Sequence, residues 1–176
     1  MRQADGAGYQ VLVHAQGDLA IEQVQDAYAE VLGDGGNPLR HRIDHNVFVT
    51  PRNESRFGEL DIMAVTFAAS AACTPDIGWT DFYMTYGDRP NAIGLANPDL
   101  RVASHGDDPS LPPIDPILDV YSLTTRNAFA EDGSICEAPD WMVGGAVDTK
   151  TALEMVTINA AYALRQDDVV GSLTPG

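Results

Sequence analysis

The chain has 176 residues, of which 44% are hydrophobic and 20% charged, and its net charge is −16. That length suits one domain with a sizeable core, and the composition is that of a folded globular protein, not a disordered one. So acidic a surface repels phosphate backbones and anionic lipid, which argues against nucleic acid and membrane surfaces as partners. In chain order, Gln10 to His14 reads as the first strand. Apolar positions at Ile21, Val24, Tyr28, Val31 and Leu32 then mark one helix face, with Asp18 as N-cap and Gly33 just past the end. His41 to His45 is a second strand, and Thr50-Pro51 opens a short helix, with threonine capping and proline in the first turn. Ile62 to Phe67 is a third strand, a helix is expected around Arg89 to Ala96, and residues 100–105 form a fourth strand. Asp115-Pro116 caps a helix to about Thr125, and another runs from about Thr149 to Leu164.

Strands alternating with helices indicate an α/β fold with a parallel sheet. Four strands do not close a barrel, so the chain is expected to be a small open sheet or, as the favoured reading, the back half of something larger. The two cysteines, Cys73 and Cys136, cannot form a disulfide framework and lack zinc-knuckle spacing. Their scarcity fits a reducing, cytoplasmic setting. The most apolar stretch, Ile62 to Cys73, is too short to span a bilayer, and the first residues carry no signal-peptide pattern.

The chemistry concentrates where three strands end, at His14, His45 and Asp107. Carboxylates and imidazoles at the C-terminal ends of parallel strands are where barrel enzymes place their reactive groups. Two neutral imidazoles and a carboxylate are donors suited to a divalent ion, zinc above all, which makes water a nucleophile at neutral pH. Asp107 can take that water's proton and hand it to a leaving group. Each residue also has a plainer reading. A strand-end histidine is commonly a hydrogen-bonded structural residue, and Asp107-Asp108-Pro109 alone is a turn. His105, two residues before Asp107, shares its strand face and can touch substrate or simply pack. Arg42 and Asp44 alternate away from His45, which predicts an ion pair or hydrogen bonds behind the site, although Arg42 is also a candidate substrate-binding residue. Trp79, Trp141 and Tyr83 are pocket candidates whose default role is core filling.

Four segments carry a resemblance. They are Val11-Leu12-Val13-His14-Ala15-Gln16-Gly17-Asp18, Arg40-His41-Arg42-Ile43-Asp44-His45, His105-Gly106-Asp107-Asp108-Pro109, and Met155 to Ala163 followed by Val170-Gly171-Ser172-Leu173. In this order the chain resembles the amidohydrolase superfamily, in particular its amidohydrolase-3 branch with the N-substituted formamide deformylases. The second segment has Asp44 where that family usually has glutamate. The resemblance implies the C-terminal half of a (β/α)8 TIM barrel over residues 1–165, with additional C-terminal helices, and the start of a truncated small β-domain over 166–176. By the same resemblance His14 and His45 would be the metal-binding histidines of the fifth and sixth strands, and Asp107 the aspartate that touches metal and shuttles the proton.

The family's His-x-His after its first strand and its fourth-strand ligand have no counterpart in these residues. The expected function is therefore metal-dependent hydrolysis of a non-peptide C–N bond in a small amide or formamide, poor or absent in this chain alone. The alternative is a non-catalytic module that folds by pairing with the missing N-terminal barrel half or with a second copy.

Overall fold

The computed structural model describes residues 1–67, 73, 97, 99–107, 115–130, 132–140 and 145–173. A short helix α1 (Arg2–Gly6) precedes β1 (Leu12–Ala15), α2 (Asp18–Leu32), β2 (Arg42–His45), α3 (Pro51–Glu59), β3 (Met63–Phe67) and β4 (Val102–His105). After these come α4 (Pro116–Thr125), a small hairpin of β5 (Ala128–Phe129) and β6 (Ile135–Cys136), then α5 (Thr149–Val156) and α6 (Ile158–Ala163). The first four strands form one parallel sheet in the order β1-β2-β3-β4. Sequence order equal to spatial order is the arrangement of a barrel segment; a doubly wound sheet reverses direction partway across. The expected helix at Arg89 to Ala96, and Trp79, Tyr83, Trp141, Asp108 and Pro109, lie outside the described residues.

One sheet face carries Ala15, Ile43, Ala64 and Val102 into a core with Ile21 and Tyr28 of α2, Phe57 of α3, Leu123 of α4 and Met155 of α5. On the other face, α6 lays Ala160, Tyr162 and Ala163 against Met63, Val65 and Ala103. Arg42 Nη1 donates to the Ala163 carbonyl at 2.9 Å, so α6 also reaches β2. The strand ends beyond these contacts form an open rim.

The helix signals hold with shifts of a residue. Gly17 is the N-cap of α2 and Asp18 its first residue, where a carboxylate suits the helix dipole. Thr50 caps α3 as expected, and Asn53 returns the favour: its Oδ1 accepts from Thr50 N at 3.0 Å while Thr50 Oγ1 accepts from Asn53 N at 3.1 Å. Asn53 is also buried, and its carbonyl accepts from Gln25 Nε2 of α2 at 2.8 Å. Asn53→Ala is expected to lower the unfolding free energy by about 1–3 kcal/mol, seen as a lower urea midpoint.

The long helix expected over 149–164 is instead two helices, broken at Thr157 (φ −120°, ψ −93°). Thr157 Oγ1 donates back to the Leu153 carbonyl, and Gly171 lies against the break. At Gly171, φ is +96° and a Cβ would come within 2.8 Å of Ala161 Cβ, so only glycine fits.

At the opposite end of the sheet from the rim, His41 is fully buried and ties three segments together. Its Nδ1 accepts from Val11 N at 3.0 Å, which leaves Nε2 to donate to Asp5 Oδ1 of α1, also at 3.0 Å. Its ring stacks on Tyr28, whose hydroxyl is 3.0 Å from both the Val11 and Arg42 carbonyl oxygens.

The cysteines correct the sequence reading. Cys73 and Cys136 are joined in a disulfide, with Cα atoms 5.1 Å apart. Two cysteines make no framework, but the fold brings residues 63 apart in sequence within bonding reach. Disulfides persist in oxidising surroundings, so the cysteine count no longer argues for a reducing compartment. Among the described residues no helix is long and apolar enough to cross a membrane.

Candidate active site

Strand register alone sets two faces at the rim. His14 lies beside Asp44, Asp44 beside Val65, and Val65 beside Ala103, and His105, two residues after Ala103, falls on that same inner face. His45 pairs with Ala15 and Thr66, one step out of phase, and by alternation belongs on the face packed against α2, α3, α4 and α5. It is not there. Its ring centroid lies 4.2 Å from that of His14 and 4.6 Å from that of His105, with Phe67 at 5.9 Å. The backbone explains the difference: φ is +81° at His45 and +51° at Asn46, two successive left-handed residues that turn the imidazole onto the inner face.

This reverses one expectation. Arg42 and Asp44 stand beside His45, not behind the site. An open cleft of about 390 Å³ is lined by Arg42, Asp44, His45, Val65, His105, Gly106 and Asp107. The expected ion pair is present, with Arg42 Nε 3.0 Å from Asp44 Oδ1 and both side chains largely buried. Strict period-two alternation put the pair behind His45, and the two left-handed residues undo that alternation.

Asp107 also adopts positive φ (+61°) after Gly106, and its Oδ1 lies 4.0 Å from His105 Nδ1. Three of the chain's four histidines therefore meet at this rim with two carboxylates, and the fourth, His41, is the structural latch at the far end. Burial holds His45 below the ordinary histidine pKa, aided by neighbouring His14 and opposed by Asp107 and Asp44. Burial likewise lowers His105, aided by His45 and opposed by Asp107 and Asp44. Neutral imidazoles keep the lone pair that metal binding requires. His105 Nε2 is buried, with no hydrogen-bond partner among the described residues.

The donor types at the rim fit a divalent ion, but as an incomplete set. Among the described residues no group of three or more His, Cys, Asp or Glu side chains is arranged to hold one. The His45 ring packs edge to face against those of His14 and His105, and Asp107 approaches His105; they do not close around a common point. His14 and His45 supply two adjacent donors, and a closed site needs more. Sequence reasoning missed Asp44 as a cleft residue and passed over Asn46. The available signal was the His-Asn pair at a strand end, since both residue types are enriched among left-handed positions.

Comparison with known proteins agrees with the architecture. Among curated proteins, Protein LONG AFTER FAR-RED 3 of Arabidopsis thaliana is 28% identical over 176 residues, covering 98% of this chain and 29% of that protein. An uncharacterized metal-dependent hydrolase from Pyrococcus furiosus superposes with a TM-score of 0.69 at 20% identity, over 99% of this chain and 33% of that one. One from Pyrococcus horikoshii OT3 gives 0.69 at 23% identity, over 98% and 33%. The chain thus spans about a third of the length of these relatives. The model of the amidohydrolase family matches residues 1–176, end to end, and with four parallel strands in barrel order the chain belongs to that family.

Proposed function

We propose that this chain supplies one side of the active centre of a metal-dependent hydrolase that cleaves a non-peptide C–N bond of a small amide, of the formamide type that the branch resemblance implies. The observation that carries the reading is the meeting of His14, His45, His105 and Asp107 at one rim from three different strands. His14 and His45 would hold a divalent ion, zinc by donor type, with Asp107 beside it and the remaining ligands supplied by the other part of the barrel. Such an ion, when bound, lowers the pKa of water towards neutrality and polarises a carbonyl.

The chain's own residues have separate tasks. Asp107, at the cleft mouth, accepts a proton at its carboxylate and returns it to the departing amine nitrogen. Arg42 is held at the cleft wall by Asp44 and the Ala163 carbonyl, which keeps its guanidinium in place beside a bound amide. Phe67 packs its ring 5.5 Å from that of His105 and helps keep water from the apolar side of the site.

The test is metal content. In the complete protein, His14→Ala and His45→Ala are each expected to lower bound zinc and amide-hydrolysing turnover together, with elemental analysis and product formation followed on the same samples. Retention of full zinc and full turnover in both variants would refute the assignment.

A further inference from the structure

We infer that Asn46 is a positioning residue whose side chain fixes His45 on the inner face of the sheet. This role gives the proposed function its second imidazole, but it stands on backbone geometry of its own. Asn46 is fully buried and follows His45 directly. Its backbone N donates to the Ala15 carbonyl of β1 at 3.0 Å. Its side-chain Nδ2 donates to the Ile43 carbonyl of β2 at 2.6 Å and lies 3.3 Å from the Val65 carbonyl of β3. One residue thus bonds to three neighbouring strands at the point where they end.

Each of these bonds opposes the return of the chain to ordinary strand geometry. If residues 45 and 46 became extended, His45 would point with Ala15 and Thr66 towards the helices, where its register places it. The left-handed pair is tolerable to histidine and asparagine but is not their resting preference, so something must hold it. The amide of Asn46 does so. Its orientation is fixed by chemistry, because a rotated amide would set its oxygen against two carbonyls, and an aspartate there would do the same with charge. Among the described residues the Asn46 Oδ1 has no hydrogen-bond partner, so the two donor contacts orient the group. Asn46 is not among the residues that line the cleft, although Val65, one of its acceptors, is, so Asn46 acts through His45 and not on substrate.

The experiment is proton NMR of the histidine rings in the intact protein, compared with Asn46→Gly and Asn46→Asp. The wild type is expected to show cross-peaks from His45 to both His14 and His105. Asn46→Gly leaves positive φ freely available and removes only the clamp, and both cross-peaks should be lost while methyl resonances of Met155 and the ring signals of Phe57 stay in place. Asn46→Asp should lose them as well. Wild-type intensity of both cross-peaks in Asn46→Gly, or their absence from the wild type, would overturn the assignment, and Asn46→Gly decides the matter should the aspartate variant fail to fold. Co2+ alone is titrated into the same wild-type samples as a separate arm. Failure of the metal to bind counts against the proposed hydrolytic centre, and the ring cross-peaks still judge Asn46.

Discussion

If the proposed function holds, Asp107→Asn in the full-length protein is expected to lower kcat by roughly 10²–10⁴-fold, the usual contribution of a positioned acid–base group. Asparagine has nearly the shape of aspartate but accepts no proton, so the substitution separates chemistry from packing. Among the described residues Asp107 has no hydrogen bond to the core, and its carboxylate lies half exposed at the rim beside His105. Melting temperature should therefore stay near that of the parent, and the loss should fall on kcat with little change in KM. The cleft holds a rival carboxylate in Asp44, but Arg42 occupies it. Near-normal turnover in Asp107→Asn, with collapse in Asp44→Asn, would transfer the proton-carrying role to the inner residue.

The second large effect is on stability. Phe57→Ala is expected to cost about 3–5 kcal/mol, in line with other large-to-small changes in cores. The helix α3 buries only Asn53 and Phe57, so this one ring is its apolar anchor. Phe57 is 1% exposed and packs in the cluster that includes Ile62, Ala64 and Ile43, directly beneath the two middle strands. A domain of this size is stable by about 5–15 kcal/mol, so the variant should unfold at a much lower denaturant concentration, with α3 loosened first. A cost below about 1 kcal/mol would mean that the helix is held by its polar contacts with Gln25 and Asp18, not by the ring.

Much of the frame was legible because its signals are local. The strand ends at His14, His45 and His105, the Thr50-Pro51 helix start and the Asp115 cap depend on a few adjacent residues, and each is found within a residue or so of its expected place. Period-two alternation paired His105 with Asp107, which do line one cleft although Asp107 lies past the strand end, but it put Arg42 and Asp44 behind the site. Alternation assumes extended backbone throughout, and His45 and Asn46 depart from it. The break at Thr157 was equally invisible, because Gly171, which packs against it, is remote in sequence. The pairing of Cys73 with Cys136 depends on distance in space, which spacing along the chain does not encode. The expectation of a common ion for His14, His45 and Asp107 rested on residue types at strand ends. It was silent about the angles at which rings meet, and those follow from side-chain rotamers.

The bond between Cys73 and Cys136 also makes a closed covalent loop spanning 63 positions, and that loop contains β4, Asp107 and α4. Closing a loop of this size removes conformational freedom from the denatured chain worth about 4 kcal/mol in the entropy treatment. Part of the permanence of this protein's reactive edge thus resides in the disorder denied to its unfolded form. A backbone cut within the ring would leave both pieces tethered, with Asp107 still joined to the strands that carry His14 and His45.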